Sequence, residues 1–287
     1  MKYGLMFVNA GPLSQPDVFA HLAVTAERVG IESIWTVEHV LVPRGYQSTY
    51  PYSADGRMPA PEDAPIPDPF IALAYAAALT TKIKLATGVL ILPQRHPAYV
   101  AKEAASIDLL SSGRMILGIG VGWLEEEFNS LGIPFEDRAA RTRESVDAMR
   151  SLWSPGPSSF SGKYFSWKNV ESNPKPVQSG GIPIVLGGHT DLAAKRAARY
   201  GNGFFPGRGG EKGLTHLLGV MREECQRVGT NADAIEITAA MMSPDHDFVK
   251  RQEDLGVNRL ILAPPAFDKE GLTQGLEAFG NAFIARA

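Results

Sequence analysis

The 287-residue chain carries 28 Lys and Arg against 31 Asp and Glu, a net charge of −3, with 44% hydrophobic residues. That balance does not suggest a nucleic-acid partner or an anionic membrane, and no apolar run is long enough to span a bilayer. The single cysteine, Cys225, excludes a disulfide within the chain, and the apolar run in "MKYGLMFVNAGP" is too short for a signal peptide, so a cytoplasmic globular protein is expected.

The first element is a β-rich run, "KYGLMFV", ending at Asn9. Ser14 is then expected to cap a helix, with Pro16 in its first turn, Phe19, Leu22, Ala26 and Val29 on one face, and Gly30 as its stop. "SIWTV" reads as a second strand and "KIKLATGVLIL" as a third. The helix "HPAYVAKEAASIDLLSSG" follows, with Val100, Ala104 and Ile107 turned inward and Gly113 ending it. "RMILGIGVG" is the fourth strand, and Ala139, Thr142, Val146, Met149 and Trp153 have helical spacing within 137–153. The second half repeats the rhythm. The strands "IPIVLGG", "GNGFF", "AIEITAAM" and "NRLILAP" precede helices expected over 190–200, 211–228, 244–255 and 268–285.

Eight near-continuous apolar strands, each followed by a helix, predict an α/β fold of the (β/α)8 TIM-barrel type, a single domain over residues 1–287. An open doubly wound sheet is the rival, but eight units fill a barrel without remainder. Two stretches interrupt the rhythm. Residues 40–67, rich in Pro, Gly and Tyr, form a long lid loop after the second strand, on the side where barrels carry their chemistry. Residues 155–181 form a small insertion before the fifth strand, in which "FSGKYFSWKNV" alternates like a hairpin.

In such a barrel the strand ends are the candidate site. They deliver Asn9, then Glu38 and His39, then Gln94, Arg95 and His96, then Gly120, Val121, Gly122 and Trp123, then Gly187, Gly188, His189 and Thr190, then Phe205, Pro206, Gly207 and Arg208. No lysine ends a strand, which argues against a Schiff-base enzyme. The six histidines are scattered and no His-x-His ends the first strand, so no metal site is expected. There is no G-x-S-x-G elbow. Glycine, apolar surface, one rim histidine and a lid suit a bound planar cofactor that supplies the chemistry itself.

Several motifs admit two readings. "GIGVG" matches a dinucleotide fingerprint poorly, and its alternating glycines serve either close packing or the approach of something flat. "VLGGHTDLAA" is either a tight turn or an anion site at a helix N-terminus, the latter supported by Arg208 in the next strand's exit. His39 is either a satisfied structural group or the catalytic one. His96 before Pro97 reads as a helix cap, and Asp108 with Arg114 as a structural turn on the far face.

"KLATGVLILPQRHPAYVAKEAASIDLLSSGRMILGIGVGW", with "GIESIWTVEH" before it and "IPIVLGGHTDLAAKRAARYGNGFFP" after it, closely resembles the bacterial luciferase-like superfamily, and in its "PQRHP" and "GW…EEEF" forms the branch that uses the deazaflavin coenzyme F420. The resemblance implies a barrel that binds F420 or FMN, with a cis Gly88–Val89 peptide beneath the ring. It places His39 at the redox centre. Gly120, Val121 and Gly122 would line the ring, and Phe205 and Pro206 would belong to the same cofactor site. Gly187, Gly188, His189 and Thr190 would take the phosphate. Pro43 and Trp123 stand where the sugar-phosphate dehydrogenases of this branch have tryptophan and glutamate, so a sugar is not expected. Trp35, Trp123 and the lid's Tyr46 suggest a small, largely apolar substrate. The expected function is hydride transfer between F420 and such a substrate. The alternatives are an FMN-dependent monooxygenase served by a separate reductase and a non-catalytic flavin-binding protein. The resemblance also implies a homodimer and a possible flavin or F420 reductase as partner.

Overall fold

Short apolar strands alternate with amphipathic helices and close into a ring of parallel strands in a computed structural model that describes residues 1–207 and 210–285. The strands are β1 (Lys2–Met6), β2 (Ser33–Thr36), β3 (Lys84–Thr87), β4 (Leu90–Ile91), β5 (Met115–Gly120), β6 (Ser158–Ser161), β7 (Ser166–Val170), β8 (Ile184–Gly187), β9 (Gly203–Phe205), β10 (Glu236–Ala240) and β11 (Arg259–Leu262). The helices are α1 (Pro16–Val29), α2 (Pro69–Leu79), α3 (Pro97–Leu110), α4 (Glu125–Ser130), α5 (Arg138–Trp153), α6 (Asp191–Tyr200), α7 (Gly210–Val228), α8 (His246–Asp254) and α9 (Lys269–Phe279).

The sheet runs β3-β2-β1-β11-β10-β9-β8-β5-β4, and β3 also pairs with β5, which closes the ring. β3 and β4 are two halves of one barrel strand, so the ring has eight positions. β5 takes Leu85 and Ala86 of β3 opposite Met115 and Ile116, and Leu90 and Ile91 of β4 opposite Ile119 and Gly120. The interruption is the Gly88–Val89 peptide, which is cis. The third strand is therefore not the continuous run that its apolar sequence suggested, and Leu92–Gln94 leave it as a 3-10 turn. β6 and β7 form the expected antiparallel hairpin.

Strand alternation sorts side chains to two cores. Leu5, Ile34 and Leu85 face the helices, while Met6, Trp35, Ala86, Ile116, Val185, Phe205 and Ile261 fill the barrel interior. Trp35 was expected to line the substrate, but it has no exposed surface. It is an inward-facing residue within β2, and its Nε1–H donates to Ser33 Oγ at 2.8 Å. The guanidinium of Arg259 lies 5.5 Å from its ring centroid, and Arg259 closes the barrel floor through ion pairs to Glu32 and Glu236.

Some boundaries also shift. Ser14 does not cap α1. It sits in a 3-10 turn (Gly11–Ser14), where its Oγ donates to Gly11 O, and Pro16 at the first helical position holds Gln15 extended as the real boundary. α8 begins after Asp245, whose carboxylate accepts Phe248 N–H at 2.6 Å. His96 does cap α3, accepting Ala98 N–H at Nδ1. Asp108 and Arg114 are structural groups at the foot of the barrel: the first accepts Val177 N–H and the second donates to Ala77, Thr80 and Ile83 carbonyls.

Close strand packing decides the alternating glycines. A Cβ on Gly118 would lie 1.9 Å from Thr87 O, a fixed backbone atom, whereas one on Gly120 would lie 2.7 Å from a methyl of Val89. Gly118→Ala is expected to cost about 3 kcal/mol or more and Gly120→Ala nearer ~1 kcal/mol, because only the second clash is with a side chain that can move. Urea unfolding of the two variants checks the order; equal losses would show that the strand can shift to accept both.

Candidate active site at the barrel mouth

The exit of β1 holds the lid by both ends. Asn9 is fully buried; its Oδ1 accepts Val37 N–H at 2.8 Å and its Nδ2 donates to Val37 O and Pro67 O, both at 2.9 Å. The long loop between β2 and α2 therefore leaves and returns at one side chain.

Glu38 and His39, adjacent at the exit of β2, bind in different directions. Glu38 is buried and accepts Ile91 N–H at 2.7 Å and Arg95 Nε–H at 2.8 Å. Arg95 also reaches Asp68 at 2.6 Å, and Asp68 caps α2. Burial pushes the Glu38 carboxyl above its ordinary range, against the opposing pull of Arg95. Arg95 thus ties the broken third strand to β2 and to the end of the lid, a structural use for a residue that the sequence placed only near a strand end.

His39 turns to α4. Its Nδ1 lies 3.0 Å from Glu127 Oε2, and its side chain is 9% exposed. Glu127 is fully buried, and its Oε1 accepts Val40 N–H at 2.6 Å and Leu41 N–H at 3.0 Å. Burial alone would raise this carboxyl, but the hydrogen bond and charge of His39 and the Leu41 N–H outweigh it and hold it below the ordinary range. Gln94 brings its buried amide beside the same carboxylate. One residue earlier, Glu126 points about 100° around the helix and meets a different part of the lid. It accepts Gln47 N–H at 2.6 Å, Ser48 N–H at 3.0 Å and Ser48 Oγ–H at 2.6 Å. These hydrogen bonds, led by that from Ser48 Oγ, bring its pKa down to about 2. Sequence reasoning passed over both glutamates. The available signal was the run Glu125–Glu127 in the first turn of a short helix, where consecutive side chains cannot all face solvent in one direction.

Aromatic rings cross the mouth. Trp123 meets His39 edge to face at 5.7 Å between centroids, Tyr46 at 5.4 Å and Tyr50 at 5.1 Å. Tyr50 continues to Tyr52 at 5.4 Å, and Tyr52 to His189 at 5.1 Å. Burial, with Tyr52 and Tyr46 alongside, pushes the Tyr50 phenol up to about 12, so it stays neutral across the physiological range. The expected residues His39, Trp123, Tyr46 and His189 are therefore joined by two lid tyrosines that the sequence had marked only as part of the lid.

Val89, just past the cis bond, is wedged between two glycines. A Cβ on Gly120 would fall 2.7 Å from one of its methyls and a Cβ on Gly187 2.8 Å from the other. Gly122 (φ 84°) lies against the Phe128 ring and Gly188 (φ 140°) against Ala193 Cβ. These glycines make room for the chain's own atoms. Gly188, His189 and Thr190 form the turn into α6, and Thr190 Oγ1 accepts Ala193 N–H at 3.3 Å. Phe205, expected at the cofactor, lies inside the barrel against Trp35, with rings 5.8 Å apart, because it faces inward at the end of β9. Pro206 is buried beside it, Val121 is half-buried beyond β5, and Arg208 lies outside the described residues.

An apolar bulge at Val89, an imidazole edge, an aromatic wall and the N-terminal turn of α6 are the chemistry that a planar ring with a phosphate tail requires, so the residues present fit a flavin or deazaflavin. Residues 2–244 match the model of the luciferase-like monooxygenase family. The chain belongs to that family. It is accordingly an oxidoreductase with a luciferase-like barrel. An uncharacterised protein of Mycobacterium tuberculosis is 29% identical over 98% of this chain and 100% of its own length. The F420-dependent glucose-6-phosphate dehydrogenase of Amycolatopsis mediterranei is 30% identical over 83% of this chain and 68% of its own. Among solved structures, an F420-dependent secondary alcohol dehydrogenase in complex with an F420–acetone adduct superposes with a TM-score of 0.78 at 19% identity, covering 100% of this chain and 99% of that one. A monooxygenase from Streptomyces bottropensis also reaches 0.78, at 20% identity, with the same coverage.

The Glu126 tie to the lid is pH-dependent in a defined sense. Its carboxyl is depressed in the folded chain, so the tie is complete above the ordinary value of 4.5 and is lost as pH falls toward about 2. Protection factors at the Gln47 and Ser48 amides, the observed exchange rate set against the intrinsic rate at the same pH, are expected to fall as pH drops across that window in the native chain and to be low at every pH in Glu126→Ala. Protection at these amides unchanged in Glu126→Ala would mean that the carboxylate does not hold the lid.

Proposed function

We propose that the protein is an F420-dependent oxidoreductase that transfers a hydride between the deazaflavin and a small, largely apolar organic substrate. The feature that supports this reading is a strand-end imidazole, His39, held by Glu127 and set edge to face against Trp123, with the lid tyrosines Tyr46 and Tyr50 on the same ring. Such an arrangement can hold a substrate and move a proton, and the redox change must come from a bound group. F420, when bound, supplies a carbon centre that accepts or donates a hydride. The 30% identical F420-dependent relative supports that cofactor over FMN.

The roles of the chain's residues follow from their positions. Val89 supports one face of the ring, and the α6 turn at Gly187, Gly188, His189 and Thr190 receives its phosphate. His39 Nε2 takes or gives the proton at the substrate's oxygen or other polar atom. Trp123, Tyr46 and Tyr50 form the walls and exclude water when the lid is down. A polar sugar phosphate suits this wall poorly, since Trp123 occupies the place of a carboxylate. The barrel acts in solution as a homodimer in the cytoplasm, supplied with reduced or oxidised F420 by a separate enzyme.

Titration of the protein with F420 and with FMN tests the assignment directly. F420 is expected to bind and FMN to bind weakly. Tight FMN binding with no F420 affinity would transfer the site to the oxygen-using FMN monooxygenases that work with a partner reductase. His39→Ala is expected to retain F420 binding while turnover of ketone or alcohol substrates falls by roughly 10²–10⁴-fold. Full activity in that variant would remove His39 from the chemistry.

A further inference from the structure

We propose that Glu127 is the positioning residue for His39 and that it couples the imidazole to lid closure. The proposal rests on His39 being the proton-handling group, and it concerns which ring nitrogen carries the hydrogen and what fixes it.

Glu127 is fully buried and held ionised by its partners, so both oxygens can only accept hydrogen bonds. His39 Nδ1 lies 3.0 Å from Oε2, a distance that requires the hydrogen to be on Nδ1. In the neutral ring that choice leaves a lone pair on Nε2, which has no hydrogen-bond partner among the described residues. The carboxylate therefore sets the ring to accept a proton at the nitrogen turned away from Glu127 and stabilises the charge when the proton arrives. Trp123, edge to face with the imidazole, limits its rotation.

The second oxygen adds a condition. Oε1 accepts the N–H groups of Val40 and Leu41, the first residues of the lid beyond the histidine. These residues follow His39 directly in the chain, so lifting this end of the lid pulls the imidazole away from Oε2 and frees its tautomer. Lid closure and a competent histidine become one event, read by two oxygens of one side chain. The neighbouring Glu126 ties residues 47 and 48 of the same loop without touching the ring, so the two carboxylates divide the work.

The test uses the full chain with ¹⁵N-labelled histidine and needs no cofactor. Long-range ¹H–¹⁵N spectra at a pH where the ring is neutral are expected to show His39 with a protonated Nδ1 and a bare Nε2, the signal being assigned by its loss in His39→Ala. Glu127→Gln keeps an oxygen for the lid amides but can place an N–H opposite Nδ1. It is expected to shift His39 toward the opposite tautomer and to lower turnover by roughly 10–100-fold with cofactor affinity unchanged. Glu127→Asp is expected to keep the native tautomer and recover part of the rate. A wild-type ring protonated at Nε2, or an unchanged tautomer in Glu127→Gln, would overturn the proposal. Should Glu127→Gln not fold, the wild-type spectrum still decides. Because the spectra are taken without cofactor, a failed F420 assignment would leave this result standing, and the reverse also holds.

Discussion

A long loop with little regular structure can lie over a buried site only if its backbone N–H groups find acceptors there. This lid meets that demand with side chains from the barrel. Asn9 accepts Val37 N–H and donates to the Pro67 carbonyl, Glu127 accepts from residues 40 and 41, and Glu126 accepts from residues 47 and 48. Because these partners lie on β1's exit and on α4, the loop is fixed to the barrel as well as to itself, where Tyr50 N–H donates to Gly56 O at 2.7 Å and Met58 N–H to the Tyr46 hydroxyl at 2.9 Å. His39 lies inside this arrangement, and its environment is inseparable from the lid's.

The second constraint is the broken third strand. Val89 projects between Gly120 and Gly187, so three neighbouring barrel strands are adapted to one side chain. Arg95 and Glu38 secure the chain on the far side of the break. The floor under the mouth is closed by Trp35 and Arg259, which leaves the upper opening as the working face. Under the proposed function, these are the positions on which a planar ligand rests.

The barrel was legible in the sequence because its signal is local and periodic: apolar runs, helical faces and a Gly stop recur through the chain. The lid was legible from its composition, and the exit of β2 from its place at a strand end. The acceptors that hold the lid were not, because Glu127 meets Val40 across 87 residues and Arg95 meets Glu38 across 57, and no local pattern records such pairs. Trp35 shows a different limit. A tryptophan near a strand end looks like a rim residue, yet its parity within β2 sends it into the interior. The alternating glycines of β5 likewise reveal that something comes close to the strand, but what comes close is Thr87 and Val89, set far from them in sequence. The resemblance to luciferase-like proteins supplied the cis bond, which no propensity would have placed.

The central claim is that the mouth between Val89, His39 and the α6 turn is a deazaflavin site. A crystal structure of the protein grown with F420 tests it most directly. The account predicts the ring against Val89 with His39 Nε2 facing the substrate side, the phosphate at Gly188–Thr190, and the lid still tied to Glu126 and Glu127. A ring bound elsewhere on the barrel, or one that reaches Val89 only after the lid has left both glutamates, would contradict it.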